Sequence, residues 1–247
     1  MTKLLIDADS IVYKSCFNVV TVDEAFDKFK GKLNYIKEDL WSDDITLYLK
    51  GVENYRSVDF PLYKANRPKA DPSSIVPELY AILEEEEIGI QADGCEADDL
   101  VRTAAHECKF NEDPFVVVAI DKDLFCDPFP YYNPDKSEHF ELTKKEADFN
   151  YYSQLLTGDS TDNIRGLNRV GPKTAAKLLG TTNEWKNLVI REYKERFGKD
   201  YEDVLTFVGH LIHIKRNEKD WFNIGFGDFY DRKIDIEKVG KLLGYDI

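Results

Sequence analysis

Six apolar residues run in succession from Phe115 to Ile120 inside the stretch PFVVVAID (114–121). A half-buried strand alternates apolar with polar residues, whereas an unbroken run suits a strand covered on both faces, as in a parallel sheet between helix layers. KLLID (3–7) reads as a second strand, ending at Asp7, and DITLYLK (44–50) as a third. Between them lie helical patterns. SIVPELYAILEEEE (74–87) puts Ile75, Leu79, Ile82 and Leu83 near one face. CEADDLVRTAAHEC (95–108) has acids at its front, where the helix dipole favours them, and Leu100, Val101, Ala104 and Ala105 behind. FPYYNP (129–134) and SEHFEL (137–142) read as a small hairpin. Strands alternating with helices predict an α/β fold, a three-layer and mostly parallel sheet.

From about residue 143 the texture becomes helical. TKKEADFNYYSQLL (143–156) opens on a Thr143 cap with Glu146 three residues later. Two more helical stretches follow, near 183–197 and 201–216. The expected division is therefore 1–142 and 143–247, with no linker between them.

Acids dominate this chain of 247 residues, whose net charge is −14. Taken alone that argues against a nucleic-acid partner, which usually leaves a basic footprint. The argument fails if the acids gather round divalent cations, which reverse the local sign. No apolar run is long enough to span a membrane, and MTKLLIDADS carries too short an apolar run for a secretion signal. The four cysteines form no CxxC pair, so thiols in a reducing cytoplasm are expected.

The acids fall at element ends. In parallel sheets ligands gather at the carboxyl ends of the strands. Asp7 ends the first strand, and Asp121 and Asp123 follow the PFVVVAI run. Glu96, Asp98 and Asp99 open a helix after the short segment IGIQAD, and Asp159 and Asp162 follow another helix. Asp9 reads as a cap for the helix after the first strand and stays outside this set. So many like charges in one place need hard cations, and Mg²⁺ takes oxygen ligands and binds substrate phosphate. Two such ions roughly 4 Å apart suit phosphodiester hydrolysis. His106, His139, His210 and His213 show no ligand spacing.

GLNRVGPKTAAKLLG (166–180) sets Gly166 and Gly171 around a short apolar segment, with Pro172 at a helix N1 position and Lys173 and Thr174 beginning that helix. This is the chemistry of a helix-hairpin-helix near 164–180, whose backbone N–H groups can meet a DNA phosphate without reading bases. The basic cluster YKANRPK (63–69) adds Lys64 and Arg67, one helical turn apart and suited to the phosphate being cut. Tyr63 could stack on a terminal base, and Arg56 is a further phosphate candidate.

Together LLIDAD, YRSVDFPLYKANR, CEADDLV, AIDKDLF and GDSTDNIRGLNRVGPKTAAKLL resemble the 5′-nuclease family. That family includes phage 5′→3′ exonucleases, flap endonucleases and the 5′-nuclease domain of bacterial DNA polymerases. The resemblance runs from residue 3 to about 180 and implies a PIN-like nuclease core with a helical gateway near 63–90. It implies metal ligation by Asp7, Glu96, Asp98, Asp99, Asp121, Asp123, Asp159 and Asp162, with two Mg²⁺ or Mn²⁺ ions. Lys64 and Arg67 would steer the scissile phosphate. Gly166, Val170, Gly171, Lys173 and Thr174 would hold the duplex, with K⁺ bound among the carbonyls of that turn. The implied activity is a 5′→3′ exonuclease or structure-specific flap endonuclease of replication or repair. It would work as a monomer, away from membranes, on DNA with a 5′ end, nick or flap, or on an RNA–DNA hybrid. A phage-like stand-alone enzyme would work in the host cytoplasm.

There are two departures. The family has an aspartate seven residues before the arginine matched by Arg56, and this chain has Leu49 there. The segment from Tyr63 to Glu96 is short for a full arch over single-stranded DNA. Two rival readings stay open. LLIDADSIV fits an aspartyl-phosphate phosphatase, with Asp7 as nucleophile and Asp9 as general acid. That reading leaves the EADD helix, the second D-x-D and the glycine hairpin without roles. A non-catalytic DNA-binding relative is the other.

Overall fold

The computed structural model describes residues 1–68 and 74–247. In chain order it begins β1 (Lys3–Asp7), α1 (Asp9–Ser15), α2 (Val22–Leu40), β2 (Ile45–Leu49), α3 (Tyr55–Asp59), α4 (Ile75–Glu85) and β3 (Ile90–Gln91). There follow α5 (Ala97–Phe110), β4 (Phe115–Val118), β5 (Pro130–Asn133), β6 (Glu138–Glu141), α6 (Lys144–Thr157), β7 (Gly158–Asp159) and β8 (Ile164–Arg165). The chain continues with α7 (Pro172–Leu179), α8 (Trp185–Phe197), α9 (Tyr201–Ile212), α10 (Phe229–Arg232) and α11 (Ile236–Leu243).

Two compact units result. The first comprises the described residues of Met1–Asn54 and Lys69–Thr143, the second Tyr55–Pro68 and Lys144–Ile247. Residues 55–68 therefore pack with the helical unit, although they lie within the α/β half of the sequence. Lys69 of the basic cluster, and residues 70–73 of the expected gateway, lie outside the described residues.

The first unit is built on one sheet of order β3-β2-β1-β4-β5-β6, parallel except where β6 returns against β5. Its mostly parallel form is the one expected from the apolar runs. Along β1 the side chains alternate between faces. Leu4 and Ile6 join a core with Ile11 and Val12 of α1, Phe29 and Leu33 of α2, and Leu79 and Leu83 of α4. The amphipathic α5 packs on β1, β2 and β4 outside that core, completing three layers. Helix α2 was not foreseen, though Ala25, Phe29, Leu33 and Ile36 are buried at helical spacing. Thr21 caps it by accepting from the Glu24 amide at 3.3 Å.

The second unit closes round α9. Every residue from Val204 to Ile212 is buried, most of them apolar, so this helix serves as the core. Arg56 belongs to that core. It is 2% exposed, donating from Nε to the Leu211 carbonyl at 2.9 Å and from Nη2 to the His213 carbonyl at 2.6 Å. A cation at a helix C-terminus satisfies carbonyls that have no partner within the helix. This corrects the expectation of Arg56 as a phosphate contact: its guanidinium is used inside the fold. Arg56→Ala should lower the stability of the protein by about 3 kcal/mol, since charged hydrogen bonds are lost and carbonyls are left buried. The shift in urea midpoint checks this.

Candidate functional site

In the first unit, acids mark the carboxyl edge of the sheet. Asp7, 6% exposed, ends β1 and accepts the Asp9 amide at 3.3 Å. Its strand lies between β2 and β4, so the loop after β4 follows on the same edge. There Asp121 opens a short 3-10 turn and accepts the Asp123 amide at 3.0 Å. Beyond β3, Glu96 stands at the N-cap of α5, and the Asp99 carboxylate accepts the Glu96 amide at 3.1 Å in a capping box. Asp99 is buried and Asp98 half-buried. The end of β1 and the segments following β3 and β4, at the carboxyl edge of one sheet, thus carry six carboxylates. Among the described residues, no group of three or more His, Cys, Asp or Glu side chains is arranged to hold a metal ion. The pairs Glu96–Asp99 and Asp121–Asp123 are brought together by their own turns.

Leu49, where the resembled family carries an aspartate, is fully buried in the apolar core of this unit. Asp9 lies one residue beyond the α1 N-cap, which is Ala8. Its Oδ1 accepts both the Lys50 amide at 2.9 Å and the Tyr80 hydroxyl at 2.6 Å, tying α1 to the end of β2 and to α4.

In the second unit two turns interlock. Asp159, 9% exposed, ends β7 and accepts the Thr161 amide at 2.7 Å and the Asp162 amide at 3.3 Å. Asp162 then meets the basic segment: it accepts the Tyr63 hydroxyl at 2.9 Å, lies 3.6 Å from the Lys64 ammonium and is paired with Arg67. Main-chain bonds reinforce the fit. The Lys64 amide donates to the Asp162 carbonyl at 2.9 Å, and Asn66 Nδ2 to the Ser160 carbonyl at 2.7 Å. Asn163 Nδ2 returns to the Leu62 carbonyl at 2.7 Å. Tyr63 is 6% exposed with its hydroxyl engaged, so the expected stacking of a base on its ring is replaced by a structural role. Lys64 and Arg67 keep accessible heads, with side-chain exposures of 27% and 47%.

The glycine segment folds as its residues dictate. Gly171 is the N-cap of α7 and Pro172 its first residue. Leu167 and Val170 are buried, the Val170 amide donates to the Leu167 carbonyl at 3.0 Å, and Lys173 and Thr174 stand exposed on the first turn.

Two buried histidine–aspartate hydrogen bonds carry no sequence signal, because each partner is ordinary in sequence. His210 Nε2 lies 2.8 Å from Asp59 Oδ2, and His213 Nε2 lies 2.9 Å from Asp220 Oδ2. The His210 ring stacks on Phe229 at 4.1 Å. Burial lowers the His210 pKa and outweighs the raising effect of Asp59, with Arg56 and Lys215 acting in the same direction as burial. A histidine with a depressed folded-state pKa binds its proton more readily in the unfolded chain. Stability is therefore present above pH of about 6.5 and lost below it. Between pH 7.5 and 5.5 the melting temperature should fall by a few degrees, at most about 3–5 °C because pH 5.5 lies about one unit below the unfolded pKa, and by less in His210→Phe.

No helix among the described residues is long and apolar enough to cross a membrane. The 5′-3′ exonuclease N-terminal resolvase-like domain matches residues 2–126, and the chain belongs to that family. It is 31% identical over 159 residues to a 5′-3′ exonuclease of Buchnera aphidicola, covering 58% of this chain and 54% of that one. Against DNA polymerase I of Rhizobium leguminosarum it is 30% identical over 171 residues, 62% of this chain and 16% of the polymerase. The chain thus spans about half the exonuclease and a small part of the polymerase. Among solved structures, the bacteriophage T5 flap endonuclease in complex with DNA and metal ions superposes with a TM-score of 0.61. The match covers 98% of this chain and all of that one, and at 11% identity it shows the fold.

Proposed function

We propose that this chain is a divalent-metal-dependent 5′-nuclease, hydrolysing phosphodiesters near the 5′ ends of duplex DNA. The observation that carries the reading is the set of six carboxylates at the end of β1 and on the segments that follow β3 and β4, at the carboxyl edge of one sheet, Asp7 and Asp99 buried among them. Buried carboxylates on a strand edge suit a hard cation, and an all-oxygen donor set fits Mg²⁺ or Mn²⁺. Asp7, Glu96, Asp98, Asp99, Asp121 and Asp123 would hold metal in the first unit, with Asp159 and Asp162 as ligating acids in the second. Two ions held there would supply Lewis-acid stabilisation of phosphoryl oxygens and an activated water. With Leu49 buried, the donor set lacks one family carboxylate.

Lys64 and Arg67, held by Asp162 yet accessible, would orient the scissile phosphate. The exposed first turn of α7, with Gly171, Lys173 and Thr174, would meet the duplex backbone, and K⁺ would sit among the carbonyls of the 166–174 turn. The partner is DNA with a 5′ end, nick or flap, or an RNA–DNA hybrid, engaged by a monomer in the cytoplasm. The names of the relatives, an exonuclease and a flap endonuclease, support both modes of cutting. The phosphatase reading loses ground because Asp9 Oδ1 already accepts two hydrogen bonds, which ties down the carboxylate it needs as a mobile acid.

Incubation with 5′-labelled blunt and flapped duplexes, with Mg²⁺ or with EDTA, tests the proposal. Mg²⁺-dependent release of short 5′ products is expected. Intact substrate at every Mg²⁺ concentration contradicts it.

A further inference from the structure

Tyr245 lies more than eighty residues from Asp159 and Asp162 in sequence, yet its hydroxyl sits on the acidic turn of the second unit. It donates to the Asn163 carbonyl at 2.6 Å and accepts from the Arg165 amide at 2.6 Å. Those residues flank Ile164, which pairs across the two-stranded ribbon with Asp159, while Arg165 pairs with Gly158. One phenol thus satisfies the main chain on the outer edge of the strand opposite Asp159, using both its donor and its acceptor capacity.

The ring is equally committed. Tyr245 is 5% exposed and packs edge-on against Phe60 at 4.9 Å, which in turn packs edge-on against Phe207 of α9 at 5.1 Å. The Arg165 guanidinium covers the ring at 4.6 Å and is bonded to the Gly244 carbonyl. Phe60 begins the turn that delivers Lys64 and Arg67, since the Tyr63 amide donates to its carbonyl at 2.8 Å. Tyr245 therefore touches both halves of the interlock: the strand behind Asp159 through its hydroxyl, and the root of the basic turn through its ring. Asn163, whose carbonyl it holds, has a φ of 58°, a left-handed conformation that needs surrounding support. Burial raises the Tyr245 pKa, so the hydroxyl stays a proton donor across neutral pH.

We propose that Tyr245 is a positioning residue for the nuclease reaction, fixing the turn that aims Asp159 and Asp162 and the segment that carries Lys64 and Arg67. The proposal rests on the nuclease reading above. The test compares the wild-type protein with Tyr245→Phe, which keeps the ring contacts and removes the hydroxyl. Tyr230→Phe is the control, because it removes a 2.7 Å hydroxyl bond to Asp59 elsewhere in the same unit.

Hydrogen exchange followed by mass spectrometry should show faster exchange in Tyr245→Phe for peptides covering 158–166, with Tyr230→Phe unchanged there. On 5′-labelled duplex, Tyr245→Phe should need about threefold more Mg²⁺ for half-maximal cleavage. Its kcat should fall about tenfold with KM for DNA unchanged, the effect of roughly 1.4 kcal/mol of lost hydrogen bonding. Tyr230→Phe should match the wild type in both. Wild-type exchange in Tyr245→Phe overturns the proposal. So does an unchanged Mg²⁺ midpoint and kcat beside faster exchange, since the hydroxyl would then serve stability alone. A wild-type protein that cleaves nothing defeats the nuclease reading, and the positioning role with it. A wild type that cleaves, matched by Tyr245→Phe, defeats only the positioning role.

Discussion

Asp159→Asn should reduce Mg²⁺-dependent cleavage at least a thousandfold while leaving the fold and DNA binding in Ca²⁺ intact. The asparagine amide oxygen can still accept the Thr161 and Asp162 amides that Asp159 Oδ1 holds at 2.7 and 3.3 Å. What it loses is the charge. A carboxylate that ligates metal stabilises the developing phosphoryl charge through that metal, and several kcal/mol of transition-state stabilisation correspond to about three powers of ten in rate. Asp159→Ala is the less informative change, because it also strips the turn of its side-chain acceptor and mixes a stability loss of about 1–2 kcal/mol into the rate. Single-turnover cleavage, read beside a melting curve, separates the two. Near wild-type turnover in Asp159→Asn removes this residue from the chemistry.

Gly166→Ala should be strongly damaging to the acidic turn. A Cβ there would lie 2.3 Å from the Gly158 nitrogen, 2.3 Å from the Thr157 carbonyl carbon and 2.5 Å from the Leu156 oxygen. All three are backbone atoms, so no rotamer change relieves the overlap. The partner strand is no freer. Gly158 has a φ of 68°, and a Cβ on it would meet the Ile164 oxygen at 2.2 Å. Two glycines face each other so that β7 and β8 can approach and set Asp159 at the end of the ribbon. Separating these strands breaks backbone bonds in a buried region, and the expected loss exceeds about 3 kcal/mol. Gly171→Ala is the contrast: its φ is −92° and nothing lies within 4 Å of the added methyl. It should cost no more than about 1 kcal/mol, the preference of an N-cap for glycine over alanine. Urea unfolding of the two variants checks the difference, and equal stability would refute the close-approach argument.

Much of the α/β unit is visible in the sequence because its signals are local. The apolar runs mark β1, β2 and β4, although β4 ends at Val118 and leaves Asp121 to open a turn. The hairpin of β5 and β6 appears where its tyrosines and phenylalanine suggest, but nothing in PYYN announces that β5 also pairs in parallel with β4. Helix α2 was legible and overlooked: its charged residues obscure a regular apolar stripe. The candidate site divides in the same way. Acids at element ends can be read from spacing, as can the Gly171–Pro172 start of α7. The roles of Arg56 and Tyr63 cannot, because each is decided by a partner about a hundred or more residues away: the carbonyls at the end of α9 and the Asp162 carboxylate. An arginine in a basic stretch looks the same in sequence whether it faces a phosphate or closes a helix. Tyr245 belongs to this class too, since only the fold brings it to Asn163 and Arg165.

If the carboxylates along the sheet edge of the first unit are ligands for divalent metal, they should capture manganese in the crystal. Anomalous scattering from crystals soaked in Mn²⁺ tests this most directly. A strong peak is expected in coordination range, roughly 2.0–2.4 Å, of carboxylate oxygens drawn from Asp7, the Glu96–Asp99 segment and the Asp121–Asp123 turn. A crystal with no peak at that edge, from protein that still cleaves DNA, contradicts metal ligation there.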